Sequence, residues 1–481
     1  MSRIEQHPIL EYHKGKPVTF TFDGKEMRGY EGESVASALH AAGVRKLHDS
    51  EVKKRPRGLF CAIGNCSSCL MRVDGRENVR ICIEPLREGM KVESQKGKAV
   101  LRPAGSLPGS IREEPAQTAD VLIIGGGPAG LNAALESAKH GLSAIVLDRN
   151  QVPGGQLCKQ THKFFGSEKA KAGTRGFVIG QELESELEKS DKVRICTETT
   201  ALGYFRDGTV MAECRGQVHI YRGRAVVIAT GASEKTLIFP GNDLPGVCGA
   251  GAVQTLMNLD GILPGQTAVM VGAGNIGLIV SYQLLQAGVK VAAVVEAAPH
   301  FGGYEVHANK IRRAGVPILT SHTVKYAFGG EKLEGVVITA LDEKFRPVPG
   351  TEQTIRADLL CMAVGLSPMT EMFFQAGCEM KFVPQLGGYV PRIDGYHRTT
   401  VKGLYAAGDA GGVEEATSAQ LTGRIAALSA AADLGAAPDF DREYKAYADE
   451  LSELRAGPMG GKILSGLEKM KEEGCVDYAK A

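Results

Sequence analysis

Two glycine-rich turns constrain this sequence more than any other feature. Gly125-Gly126-Gly127-Pro128-Ala129-Gly130 follows the apolar run Val121-Leu122-Ile123-Ile124, and Gly272-Ala273-Gly274-Asn275-Ile276-Gly277 follows a similar run from Ala268. Each turn opens a stretch with helical periodicity and is followed by a second apolar run, Ala144-Ile145-Val146-Leu147 after the first. A strand that turns through glycines into a helix and returns as a parallel strand is a βαβ unit, which predicts a doubly wound α/β sheet. The copies stand about 145 residues apart, so the sequence predicts two nucleotide-binding domains of one ancestry, not a short-period solenoid.

Each residue of the motif has a task. Gly125 permits the tight turn, Gly127 lets a pyrophosphate approach the backbone, and Gly130 allows close strand–helix packing, with Pro128 and Ala129 opening the helix. Asp148 ends the second strand 18 residues beyond Gly130, placed to accept from a ribose hydroxyl, and Arg149 follows it. Gly272, Gly274 and Gly277 repeat the pattern, and Glu296 closes the second strand of that copy. A carboxylate there hydrogen-bonds a 2′-hydroxyl and repels a 2′-phosphate. No arginine follows within Ala297–Gly303, so NAD(H) is expected over NADP(H). The competing reading is a fold relic that no longer binds nucleotide.

The cysteines carry the second signal. Four of 11 form Cys61-x4-Cys66-x2-Cys69-x12-Cys82, and the rest are scattered singly. A [2Fe–2S] cluster needs four thiolates, two per iron, and this is the plant-type ferredoxin spacing. Gly64 and the small residues Ala62, Ser67 and Ser68 let the backbone wrap a cluster and aim N–H groups at sulfur. A zinc site of four thiolates is the alternative, but zinc ribbons usually show two C-x2-C pairs and only one exists here. No Cys-x2-Cys or Cys-x4-Cys occurs after residue 69, which excludes thiol–disulfide exchange as the main chemistry. Cys158 and Cys248 read as buried small hydrophobes.

Around the cysteines, residues 17–100 read as a β-rich module. Val18-Thr19-Phe20-Thr21-Phe22 alternates as a strand, Asp23-Gly24 is a hairpin turn, and Ser34 caps a short helix Val35–Ala42 that stops near Gly43. A net charge of +1 gives no support to nucleic-acid binding. No apolar run approaches the length of a membrane span, and Met1–Leu10 lacks a signal-peptide core, so a cytoplasmic protein with reduced thiols is expected. The basic run Lys53-Lys54-Arg55-Pro56-Arg57 reads as a solvated loop or a docking element.

Three further segments complete a recognisable pattern. Ala225–Gly231 is a strand running into the turn Thr230-Gly231, Leu359–Gly365 repeats it, and Gly403–Asp409 is a strand ending in Gly408-Asp409 before a helix from about Glu415. The arrangement resembles the two-domain flavoprotein disulfide-reductase superfamily. That resemblance implies FAD at the first motif, Asp409 on the flavin ribityl chain, and Gly154-Gly155-Gln156 near the flavin. Read without it, Asp409 is an ordinary helix N-terminal carboxylate.

The combined order, a cluster module fused to this flavoprotein, resembles the α subunits of bacterial amine-oxidising complexes of the sarcosine oxidase, dye-linked proline dehydrogenase, opine oxidase and hydrogen cyanide synthase type. The resemblance covers roughly residues 17–435. It implies an electron-transfer subunit of an amine or imino-acid dehydrogenase, whose substrate is oxidised on a flavoprotein β subunit, with FMN at a subunit interface left open. Two departures stand out: beyond Asp409 the sequence has only Cys475, so a second cluster is not expected there, and the folate-coupled reaction of sarcosine oxidase relatives is not expected either. No catalytic acid or base is identifiable. The expected division is a ferredoxin-like module at 1–100, a linker at 101–118, FAD-binding segments at 119–239 and 356–435 flanking an NAD(H) domain at 240–355, and a helical tail at 436–481. A different class of function, a stand-alone NADH:acceptor oxidoreductase, also fits. A third reading has the dinucleotide folds serving as scaffold.

Overall fold

A computed structural model describes residues 3–99, 114–163, 165–166, 171–457 and 460–471. Most of the expected linker and Cys475 lie outside the described residues. The chain forms two compact units, Met1–Ser106 with Glu234–Gly365, and Leu107–Ser233 with Leu366–Ala481.

The first unit opens with a five-stranded sheet in the order Lys25–Tyr30, Pro17–Phe22, Lys91–Glu93, Leu70–Val73, Arg76–Arg80. Asp23 (φ 46°) and Gly24 (φ 80°) make the tight hairpin turn that joins the first two strands. The helix Val35–Ala41 packs on this sheet through Val35, Ala38 and Leu39, and the Ser34 side chain accepts from Ser37 N–H as its N-cap. Gly43, at φ 90°, follows its end.

The same unit holds a five-stranded parallel sheet in the order Val247–Gly249, Leu359–Met362, Thr267–Val271, Lys290–Val295, Ile318–Leu319. Its strands are buried on both faces, which explains their unbroken apolar runs. Here the observed boundaries differ from the expected 240–355. Leu359–Met362 hydrogen-bonds to Thr267–Val271, so residues 356–365 belong with the second nucleotide fold, and the chain changes unit after Ser233 and Gly365. The cysteine-bearing sheet also packs with this fold as one body. Ile4 and Ala62 share a core with Cys248, Ala250 and Val253. Gly249 N–H donates to Phe60 O at 2.9 Å, and Ser37 Oγ donates to Asp260 at 2.6 Å.

The second unit is built on a seven-stranded sheet. Val193–Cys196, Ala144–Leu147, Gln117–Ile124, Gln217–Ile228, Thr209–Cys214 and Thr199–Tyr204 follow in order, and Leu404–Ala406 adds parallel to Gln217–Ile228. The helices Pro128–Lys139 and Ala416–Asp433 cover one face over a core of small residues that includes Ala129, Ala133, Ala426 and Ala430. Gly423 is needed here because a Cβ would stand 2.1 Å from Ala129 O. The helices Phe440–Arg455 and Gly460–Lys471 complete the unit.

Candidate redox and nucleotide sites

Cys61, Cys66 and Cys69 lie on one loop, and Cys82 returns from the turn after the strand Arg76–Arg80. Cys61, Cys69 and Cys82 are buried and Cys66 is exposed. The sulfurs meet in a chain of contacts: Cys66 with Cys61, Cys61 with Cys82, and Cys82 with Cys69. Those contacts draw the Cys61 and Cys69 thiols down and push Cys66 and Cys82 up, as protons are shared among close sulfurs. Among the described residues no three of these sulfurs lie mutually within 4.8 Å. A single zinc with sulfurs at about 2.3 Å would draw all four within about 3.8 Å of one another.

The loop is shaped for sulfur. Ala62 (φ 50°) and Ser67 (φ 59°) sit in the left-handed region, at a cost of about 1–2 kcal/mol each. In return, Cys66 N–H points at Cys61 Sγ at 3.4 Å and Ser68 N–H at Cys66 Sγ at 3.5 Å. Ser68 Oγ donates to Gly58 O at 2.8 Å and fixes the loop's entry. The basic run beside it is not a free solvated loop, because Arg57 and Arg55 pair with Asp243 at 2.8 and 3.1 Å.

At the first nucleotide fold, the three motif glycines divide by what their Cβ would meet. A Cβ on Gly125 would stand 2.3 Å from Ala229 O, and one on Gly130 1.8 Å from Gly125 O. Gly127 is different, since the nearest atom, Gly155 Cα, is 4.0 Å away. The backbone there is the least crowded of the three and lies at a helix N-terminus, the setting in which a pyrophosphate can be held. Asp148 accepts from Gly126 N–H at 2.7 Å and from Asn150 N–H at 2.7 Å. Burial nevertheless pushes its carboxyl up.

The other expected contacts converge on the same place. Gly154 N–H donates to Gly126 O at 2.7 Å, and Gly155 lies against Gly127. Thr230 follows the Gly125 contact and donates through Oγ1 to Met369 O at 2.8 Å, and Gly231 takes φ 75°. Arg149 Nη2 is 3.9 Å from Met369 Sδ, and Gln156 is exposed on the short turn Gly155–Lys159. Gly408 abuts Ala129, and Gly408 N–H donates to Thr422 Oγ1 at 3.0 Å. Asp409 accepts from Glu414 N–H at 3.2 Å, and desolvation pushes it up to about 7. Met369, Thr422 and Glu414 carry no sequence signature, because only the folded chain brings them to the motif.

The second fold repeats the first. A Cβ on Gly272 would stand 2.3 Å from Ala363 O and one on Gly277 1.9 Å from Gly272 O, whereas Gly274 faces nothing within 4 Å. Glu296 accepts from Ala273 N–H at 2.7 Å and Ala298 N–H at 2.9 Å, and is half-buried. Each carboxylate has lone pairs left for a ribose. Cys158 is pushed up to about 11 by burial, and Cys361 is raised by burial beside Cys248, so neither behaves as a reactive thiolate. Among the described residues no helix is long and apolar enough to cross a membrane.

A paired-cysteine loop and two glycine cradles define an iron–sulfur oxidoreductase with two dinucleotide folds. Residues 119–423 match the pyridine nucleotide-disulphide oxidoreductase family, and residues 15–97 match the 2Fe-2S iron-sulfur cluster binding domain. An opine oxidase subunit of Rhizobium meliloti (strain 1021) is 30% identical over 71% of this chain and 77% of its own length. The alpha subunit of sarcosine oxidase from Corynebacterium sp. (strain P-1) is 28% identical over 90% of this chain and 45% of its own length. The chain thus spans less than half of that relative. The crystal structure of L-proline dehydrogenase from P. horikoshii superposes with a TM-score of 0.69 at 26% identity, covering 93% of this chain and 79% of that one. The chain belongs to the pyridine nucleotide-disulphide oxidoreductase family and is related to this opine oxidase subunit. It has the family's flavin- and nucleotide-binding fold and a 2Fe-2S domain, without the redox dithiol that the family name implies.

Proposed function

We propose that this chain is the electron-transfer subunit of a heteromeric amine or imino-acid dehydrogenase. Proline, sarcosine or an opine-like compound would be oxidised on a flavoprotein β subunit of the amine-oxidase type. Cys61, Cys66, Cys69 and Cys82 would hold a [2Fe–2S] cluster in the pairs 61/66 and 69/82. The first fold would hold FAD through Gly125, Gly127, Gly130, Asp148, Thr230, Gly231 and Asp409, with Arg149 and Gln156 at its edge. The second would hold NAD(H) on Gly272, Gly274, Gly277 and Glu296. FMN at the contact with the partner subunit fits the same scheme. A reducing cytoplasmic setting fits this scheme, since it keeps the four ligand thiols available for a cluster.

The observation that carries this reading is the convergence of four sulfurs on the body that also holds the second nucleotide fold. Flavin handles two electrons and a [2Fe–2S] cluster one, so a chain with both couples two-electron chemistry to one-electron carriers. The protein's own part is to bind, orient and shield these groups. The backbone amides of Cys66 and Ser68 steady the sulfur charge, Asp148 and Glu296 anchor their loops while facing the ribose, and the glycine cradles admit the phosphates.

Co-purification from the native source, with flavin and iron analysis, tests this reading. A tightly bound second polypeptide, with amine-dependent dye reduction that needs both chains, is expected. The second reading, a stand-alone NADH:acceptor oxidoreductase, is favoured by the open cradle at Gly274 beside Glu296. A lone chain with rapid NADH–dye activity would establish it and overturn the first.

A further inference from the structure

The family match ends at residue 423, and the helix Phe440–Arg455 beyond it packs back on the first nucleotide fold. Its first turns grip the helix Pro128–Lys139. Tyr447 Oη donates to Glu136 Oε2 at 2.6 Å, and Lys139 Nζ bridges Glu136 and Glu443. Tyr444 Oη donates to Gly395 O at 3.1 Å, and its ring stacks on Phe440. The last turn reaches the nucleotide site. Arg455 Nε and Nη2 hold the two carboxylate oxygens of Glu414 at 3.0 and 2.6 Å, with side-chain exposures of 15% and 11%. Glu414 N–H in turn donates to Asp409 Oδ1.

We propose that Arg455 is a positioning residue for the first nucleotide site, where it fixes the turn 409–415 and neutralises Glu414 so that an ionised Asp409 can face the flavin ribityl chain. This rests on the flavin reading of Asp409 given above. A bidentate arginine–carboxylate pair sets an orientation as well as a charge, and this one is largely shielded from solvent. Gly408, beside Asp409, meets Ala129, Ala419 and Thr422 on the two covering helices, none of which ionises. Among the described residues Glu414 is the charged side chain that acts on Asp409, and it acts to raise it. Behind the pair lies His397, with Nδ1 3.0 Å from Ala406 O. Burial, reinforced by Arg455 and opposed by Glu414 and Asp394, pushes His397 down to about 4, so it stays neutral above that pH. Asp409 is then the group whose charge changes near neutrality.

The test is FAD binding to the full chain stripped of flavin, followed by flavin fluorescence across pH; the chain has no tryptophan to interfere. Affinity should rise as Asp409 ionises. In Arg455→Ala the bare Glu414 charge opposes that ionisation, and the midpoint should move upward by about one pH unit. Affinity would then fall about tenfold near pH 6 and by less than about twofold near pH 9. Arg455→Lys should restore most of the midpoint. Glu414→Gln, which keeps the backbone donor and removes the charge, should move it below wild type. Far-UV circular dichroism checks folding, and if Arg455→Ala is unfolded, Glu414→Gln alone decides the charge effect. An unchanged midpoint in either variant, or an equal loss at every pH, overturns the proposal. Asp409→Asn separates the two levels. If it binds FAD like wild type, the flavin assignment fails and the proposal with it; if it binds weakly while Arg455→Ala matches wild type, only the proposal fails.

Discussion

Asp148 and Glu296 do the same work in the two nucleotide folds: each carboxylate holds the amide of the motif's second residue at 2.7 Å, Gly126 in one and Ala273 in the other. Each also holds the amide two residues further on, Asn150 or Ala298. The duplication seen as two glycine motifs in the sequence therefore extends to the carboxylates that lock those motifs.

Glu296→Ala should weaken NADH binding by about 1–3 kcal/mol, the scale of a hydrogen bond to a charged group. NADPH should gain relative to NADH, because the repelling carboxylate is gone. Isothermal titration of both nucleotides checks this. Equal losses for the two would show that Glu296 only braces its loop.

The glycines predict a split between folding and binding. Gly130→Ala puts a Cβ 1.8 Å from Gly125 O, so it should lower stability by at least about 1–3 kcal/mol. Gly127→Ala meets nothing nearer than 4.0 Å and should fold normally, yet lose FAD affinity by about tenfold or more because it narrows the cradle. Thermal melts of the flavin-free proteins, set beside FAD titrations, separate the two effects.

Much of this was legible in the sequence because it is local. Asp23-Gly24 made its turn, Ser34 capped its helix, and Ala144–Leu147 formed the strand read from its apolar run. The boundary at 355/356 was not legible, since Leu359–Met362 joins the second sheet through partners about 90 residues away in the chain. The pairing of Arg57 with Asp243 is likewise a contact between distant segments, and a basic run gives no sign of the carboxylate that will meet it. Glu414 and Arg455, 41 residues apart, belong to the same class.

Asp243 carries the next prediction. It faces both Arg55 and Arg57, and Asp243→Asn would leave those cations without a counter-charge at the base of the cysteine loop. A loss of about 1 kcal/mol is expected, seen as a lower melting temperature. Bleaching of the visible absorbance by a chelator should be faster. High salt should narrow the difference between variant and wild type.

Asp409 makes stability depend on pH. Its folded carboxyl lies above the unfolded value, at about 7, so the folded state holds more protons than the unfolded one between about pH 4 and pH 7. Stability from this group is fully present below that window and is lost as pH rises through it. Flavin-free Asp409→Asn should therefore melt close to wild type at pH 4 and higher than wild type at pH 8. A variant less stable at pH 8 would contradict the desolvated setting of this carboxyl.

The proposed electron-transfer role depends on a [2Fe–2S] cluster at Cys61, Cys66, Cys69 and Cys82. The most direct measurement is iron, acid-labile sulfide and zinc in anaerobically purified protein, with electron paramagnetic resonance after dithionite reduction. About two irons and two sulfides per chain, a reduced spin signal, and loss of all three in Cys82→Ser are expected. One zinc per chain with no labile sulfide would contradict it.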